Sequence, residues 1–199
     1  MAYPTVSAPY GLIPINLIGG QVFAGSTRLI PIAANYATAI FYGDVVKLVS
    51  DGTLEKDTGT STATPVGVFL GCTYTDPVYG KTFRQSYPGG VNVADIQAYV
   101  CDDPDALFKA AVVSSGTTIG TVTRTAVGNN AALVQNAGSA TTGNSKVAIN
   151  GTTATTNTLP VRIVDVVPET SPVGTPGSYT EVIVKWNAGM HQYNNPTGV

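Results

Sequence analysis

Apolar positions in this chain come in short runs, cut apart by Gly, Asn, Asp and Pro, and no run sustains a helical period. That pattern predicts strands. The clearest signal is Val45-Val46-Lys47-Leu48-Val49, then the turn residues Ser50-Asp51-Gly52, then a returning Thr53-Leu54-Glu55-Lys56. β-Branched residues on either side of Asp-Gly, with a glycine free to take positive φ, predict a hairpin. Pro65–Tyr74 reads as a buried strand in which Gly67 and Gly71 mark bulges or close backbone approaches. Further strands are expected over Arg28–Ile32, Asp95–Cys101, Lys109–Val113, Leu159–Val167 and Thr180–Trp186. Helix competes only over Ala33–Ile40, and Asp102–Phe108 reads as a turn or one helical turn with Asp103 as N-cap and Pro104 following.

Between Ser114 and Thr158 the chain is almost all Thr, Ser, Gly, Ala, Asn and Val, and its only charges are Arg124 and Lys146. Short alternating pieces, Ile119–Val122, Ala131–Val134 and Lys146–Ile149, read as more strands of the same domain. Asp57–Thr64, Asp76–Gly90 and Pro168–Ser178 read as loops, and Asn187–Val199 as a polar tail. The expected fold is all-β: a β-sandwich or jelly roll, or a small open β-barrel, over residues 28–199, with helix confined to short turns. The core is drawn from Val45, Val46, Leu48, Val66, Val68, Phe69, Leu70, Ile96, Val100, Ile163, Val164, Ile183 and Trp186.

Residues 1–27 differ. They hold no charged side chain, are rich in Leu, Ile, Val, Tyr and Phe, and carry Pro4, Pro9 and Pro14. Each proline removes a backbone donor and excludes helix, so an extended arm is predicted. It needs a surface to lie on, either its own domain as an edge strand or another subunit. As a fastening arm it would be dispensable for folding of the body, with Tyr10, Leu12, Ile13, Ile15, Leu17 and Ile18 as its contacts.

Composition narrows the chemistry. Charged residues are 11% of the 199 and the net charge is −2, against roughly 25% charged in an average soluble domain. A chain this poor in charge has its surface covered by neighbours or solvated through hydroxyls and amides. There is no basic run of the kind nucleic acid requires, no apolar stretch long enough for a membrane helix and no basic n-region of a signal peptide, which points to synthesis in a cytoplasm. Cys72 and Cys101 lie in apolar runs and are expected as reduced, buried thiols. His191 is the only imidazole and has no acidic residue near it in sequence. Asp102, Asp103 and Asp105 are the only acidic cluster, and the turn accounts for them. Gly80-Lys81-Thr82 lacks the upstream glycine of a phosphate loop. Asn150-Gly151-Thr152 fits a glycosylation pattern and reads better as a turn. No catalytic residue, metal site or cofactor is expected. Tyr79, Lys81, Phe83, Arg84 and Tyr87 interleave aromatic and basic side chains, as subunit contacts would.

Several stretches together resemble a known family. Gly11-Leu12-Ile13-Pro14 with Gly19-Gly20 resembles the arm of small auxiliary head proteins of tailed bacteriophages, of the podovirus and cyanophage kind. Gly43-Asp44-Val45-Val46 and Pro65–Cys72 resemble their first hairpin and next strand. Asp102–Phe108, Leu159–Asp165, Val184-Lys185-Trp186-Asn187 and His191 resemble later segments, while Lys109-Ala110-Ala111 departs from the more polar strand of the family. The resemblance implies a capsid decoration, or cement, protein. Such a protein sits on the outer surface of the head, commonly as a homotrimer, and stitches major capsid subunits together; it has no catalytic residues. The alternative is a carbohydrate- or receptor-binding β-module of a fibre or tail, using Tyr74, Tyr79 and Tyr87.

Overall fold

The computed structural model describes residues 6–167 and 178–199. Thirteen strands run in chain order: β1 (Ile13–Leu17), β2 (Arg28–Pro31), β3 (Val45–Leu48), β4 (Leu54–Lys56), β5 (Gly67–Asp76), β6 (Gly80–Arg84), β7 (Gln97–Cys101), β8 (Ala106–Ser115), β9 (Thr118–Ile119), β10 (Asn130–Val134), β11 (Ala148–Ala154), β12 (Val161–Val167) and β13 (Glu181–Trp186). The only helical element among the described residues is a 3₁₀ turn, Arg124–Ala126. The fold is therefore all-β, as the short β-branched runs predict.

The strands form two sheets. The first has the order β1-β8-β11-β10-β12-β13, and β13 also pairs with β8. That second pairing returns the path to β8, so β8, β11, β10, β12 and β13 form a small closed ring. Its interior holds Phe108, Val112, Leu133, Ile149, Val161, Ile163, Val182, Val184 and Trp186, with the Phe108 and Trp186 rings 5.2 Å apart. β8 explains the run Lys109–Val113. Ala106, Phe108, Ala110 and Val112 point inward, while Ala111 and Val113 point outward and are covered by Val6, Tyr10 and Tyr179. A strand buried on both faces reads as nearly continuous apolar sequence.

The second sheet runs β2-β7-β5-β3-β4, with β6 paired to β5. One of its faces packs Ile30, Val46, Phe69, Cys72, Ala98 and Val100 against Ile32, Ile40, Tyr87 and Ile96 from the connecting loops. Val45, Val68 and Cys101 join the first core instead. Cys72 and Cys101 are thus free, buried and in different cores.

The expected hairpin is present as β3 and β4, with Gly52 at φ +79. Gly71 lies at a register break in β5 with φ +135, and a Cβ on Gly67 would meet the Cys101 carbonyl oxygen at 2.2 Å. Of the expected core, Leu48, Leu70, Val164 and Ile183 are half-buried and the others are buried. Ala33–Ile40 forms no helix and Asp102–Phe108 holds a turn leading into β8. Asn150-Gly151-Thr152 is not a turn; it is an irregular stretch of β11, where the pairing with β10 slips. The loop expected at Pro168–Ser178 lies outside the described residues except for Ser178.

Of the two surfaces expected for the N-terminal segment, its own domain is the one it lies on. From Val6 onward it is part of the domain. β1 is an edge strand on β8 of its own chain, with Pro14 opposite Phe108 and Ile15 the extra residue of a bulge. Gly11 donates to the Val147 carbonyl (3.1 Å), Leu12 to the Gly43 carbonyl (3.0 Å) and Ile18 to the Asp105 carbonyl (3.0 Å). Leu12 is fully buried in the first core. Proline spacing excluded helix, but edge strands accept proline, and the same spacing fits one. Below this segment lies a buried polar latch. Asp44, 0% exposed, accepts from Ser145 Oγ (2.6 Å), Phe41 N (2.9 Å) and Lys56 Nζ (2.8 Å). Each carboxylate oxygen is satisfied, which a buried charge requires.

Candidate functional site

One face of the second sheet packs Val45, Val68 and Cys101 on the first core and stays open only toward the β5–β6 hairpin. β5 and β6 make a hairpin in which Asp76 lies opposite Gly80. Its loop is Pro77-Val78-Tyr79, closed by Gly80 at φ +74. Three-residue loops ending on a left-handed glycine are a favoured hairpin connection. Asp76 Oδ1 accepts from Val78 N (2.8 Å) and Tyr79 N (3.2 Å), and those backbone hydrogen bonds hold its carboxyl below the ordinary carboxylate range. Asp95 does the same for the hairpin stem. It takes the Thr75 hydroxyl at 2.6 Å and Thr75 N at 3.1 Å, and the hydroxyl contact is the main reason its pKa is lowered. These hydrogen bonds define the turn, yet its apolar side chains face water: Val78 and Tyr79 are each 79% exposed.

Behind the turn an apolar stripe crosses the sheet. Leu29 on β2 lies opposite Tyr99 on β7, and Tyr99 lies opposite Gly71 on β5. Gly71 has no side chain, and the Phe83 ring from β6 fills the space. A Cβ there would meet the Phe83 ring at 3.0 Å. Phe83 meets Tyr99 edge-on, with centroids 5.6 Å apart. Phe83 remains 64% and Leu29 52% exposed. Lys81 shares the face of Phe83, while Arg84 projects from the opposite face, over the Tyr74 ring at 5.9 Å and 3.9 Å from Asp76.

The residues expected as contacts therefore divide. Tyr79, Lys81, Phe83 and Arg84 share the hairpin and are exposed, but Tyr87 is fully buried in the second core and donates to the Tyr36 carbonyl at 2.8 Å. Tyr74 is buried as well. In the N-terminal segment Leu12 is core, while Ile13, Ile15 and Leu17 are half-buried along β1. Tyr10 gives its hydroxyl to buried Glu181, which also takes Lys109 Nζ at 3.2 Å. Burial first, and that bond second, push the Tyr10 hydroxyl well above its usual range. Only Ile18, 49% exposed, remains open. Val78 on the turn, and Leu29 and Tyr99 in the stripe, lie outside the expected contacts. The alternation Thr73-Tyr74-Thr75 and Lys81-Thr82-Phe83 around Asp76-Pro77 carried the signal, but Pro77 and Gly80 read as loop.

The acidic cluster is spent on structure. Asp102 pairs with Arg28 (2.7 Å), Asp105 with Lys185 (3.2 Å), and Asp103 Oδ1 takes Asp105 N (2.8 Å). Among the described residues no three of His, Cys, Asp and Glu converge on a metal position. An open groove of about 420 Å³ runs past Ile18, Ile163, Trp186, Arg162 and Lys185, so its titratable lining is cationic only. Among the described residues no helix is long and apolar enough to cross a membrane. No family model, no curated protein and no solved structure matches this chain.

Proposed function

We propose that this chain is a structural virion protein, a capsid cement protein that docks on the outer surface of a bacteriophage head and catalyses no reaction. It bridges neighbouring major capsid subunits, assembles as a homotrimer, and contacts neither nucleic acid nor membrane. The observation that carries this reading is the hydrogen-bonded β5–β6 hairpin with Val78, Tyr79 and Phe83 turned to solvent. Apolar side chains held on a prebuilt turn lose little freedom on docking, so more of their burial appears as affinity. Each contributes roughly 1.5–3 kcal/mol when fully covered. Many copies on one lattice then multiply a modest contact through effective concentration. The scarcity of charge fits a surface meant to be covered, and the resemblance of the arm, hairpin and C-terminal segments to phage head proteins points the same way.

The glycan-binding alternative loses support from burial: of Tyr74, Tyr79 and Tyr87, only Tyr79 is exposed. Electron cryomicroscopy of particles from the phage that encodes this chain tests the proposal. Stoichiometric copies over the head, with the hairpin against the shell, are expected. Copies confined to the tail or vertices, or none on the particle, would reject it.

A further inference from the structure

The segment after β13 does not trail into solvent as a polar tail. Asn187 Nδ2 donates to the carbonyls of Asn157 (2.9 Å) and Leu159 (3.0 Å), anchoring it on the ring of strands. Gln192 then reaches the other sheet. Its Oε1 accepts from Leu48 N at 2.7 Å, its Nε2 donates to the Leu48 carbonyl at 3.0 Å, and its own N donates to the Pro65 carbonyl at 2.8 Å. One amide side chain thus completes the backbone of β3 as a partner strand would, and residues 187–192 strap the two sheets together.

Between the two anchors sits His191, 0% exposed. Its ring lies 6.4 Å from that of Trp186 and 5.3 Å from that of Tyr193. Nδ1 accepts the N–H of Tyr193 at 3.3 Å. That bond requires an unprotonated Nδ1, so the docked ring is neutral and carries its hydrogen on Nε2. Val66 offers its backbone to the ring, but Nε2 closes no hydrogen bond among the described residues. A proton added at Nδ1 would set one donor against another and place a charge in an aromatic slot.

We propose that this segment is an acid-released strap, in which protonation of His191 at Nδ1 breaks the Tyr193 contact and frees the clamp of Gln192 on Leu48. The charged groups facing the ring are Asp102 and Asp103 on the β7–β8 turn. Asp102 is engaged by Arg28 at 2.7 Å and by the Tyr193 hydroxyl at 3.1 Å, and Arg28 lies 5.3 Å over the Tyr193 ring. Burial holds the imidazole below its ordinary value of 6.5, while the Val66 backbone, and then Asp102 and Asp103, pull the other way. The released strap therefore binds the proton more readily than the docked one. Docking is complete above about pH 6.5 and weakens as pH falls through that value toward the lower pKa of the docked ring.

Amide exchange of the full chain reads the clamp at Leu48 and Gln192. Corrected for intrinsic rates, both should exchange about tenfold faster or more near pH 5 than near pH 7.5, while β8 and β12 stay protected. His191→Phe keeps the ring and removes the proton site, so the pH step should vanish. Equal protection at both pH values in the wild type, or an unchanged step in His191→Phe, would overturn the proposal. If that variant does not fold, the wild-type protein decides by NMR, since it has a single imidazole. The His191 resonance must titrate together with loss of the Leu48 clamp, and titration with the clamp intact would equally overturn it.

Discussion

Gly11 and Gly43 lie back to back. Leu12 N, the next donor along, reaches the Gly43 carbonyl at 3.0 Å, and a Cβ on Gly11 would lie 2.6 Å from that same oxygen. Gly11 also holds φ +86. Substituting alanine there meets both a strained backbone and a backbone clash that no rotamer relieves. Gly11→Ala should lower stability by about 2–4 kcal/mol. Gly20, at φ +82 with nothing within 4 Å, is the control; Gly20→Ala should cost only about 1 kcal/mol. Paired thermal melts of the two variants check the difference.

The same contact predicts what truncation does. Removing residues 1–17 strips an edge strand from β8 and empties the position of Leu12 in the first core. The shortened body should not melt cooperatively. Leu12→Ala, a milder form of the experiment, should cost about 2–5 kcal/mol. A shortened chain with an unchanged melting temperature would show that the segment is an appendage after all.

How much of this was legible from the residues depends on the range of the contact. The β3–β4 hairpin was, because Ser50-Asp51-Gly52 and its two flanking runs are adjacent in the chain. The pairing of β13 with β8 was not. Ile183 sits opposite Lys109, and a register across such a separation leaves no periodic trace in either strand. Composition left the partner of residues 1–27 open, since an uncharged, proline-punctuated stretch looks the same whether it lies on its own sheet or on a neighbour. The polar tail misled for the same reason: Gln192 and His191 are polar, yet one serves as backbone partner and the other as core. On the exposed hairpin, Tyr79, Lys81, Phe83 and Arg84 could be read from their interleaving. Leu29 and Tyr99 could not, because only the sheet registers bring them beside Phe83.

The two thiols make a chemical prediction. Burial pushes Cys72 and Cys101 each up to about 12, with the Arg84 charge only partly offsetting it at Cys72. A thiol so poorly ionised is a weak nucleophile near neutral pH. Native protein near pH 8 should resist a thiol reagent, and both cysteines should label after denaturation without reductant. Fast labelling of the native chain, or a mass showing a disulfide, would contradict the placement of these residues in two separate cores.

The central claim is that the open face of the second sheet fastens this chain to a shell. The most direct test is co-sedimentation of purified protein with phage heads lacking it, comparing wild type with a Tyr79→Asp, Phe83→Asp double variant. Tyr79 stands free in solvent, while Phe83 gives up its packing on Tyr99 and over Gly71, so the variant should stay folded and lose about 1–2 kcal/mol. Its apparent affinity for heads should fall about tenfold or more, the loss expected when two central apolar anchors are removed. Wild-type occupancy by the folded variant, or no binding of the wild type at all, would contradict the account.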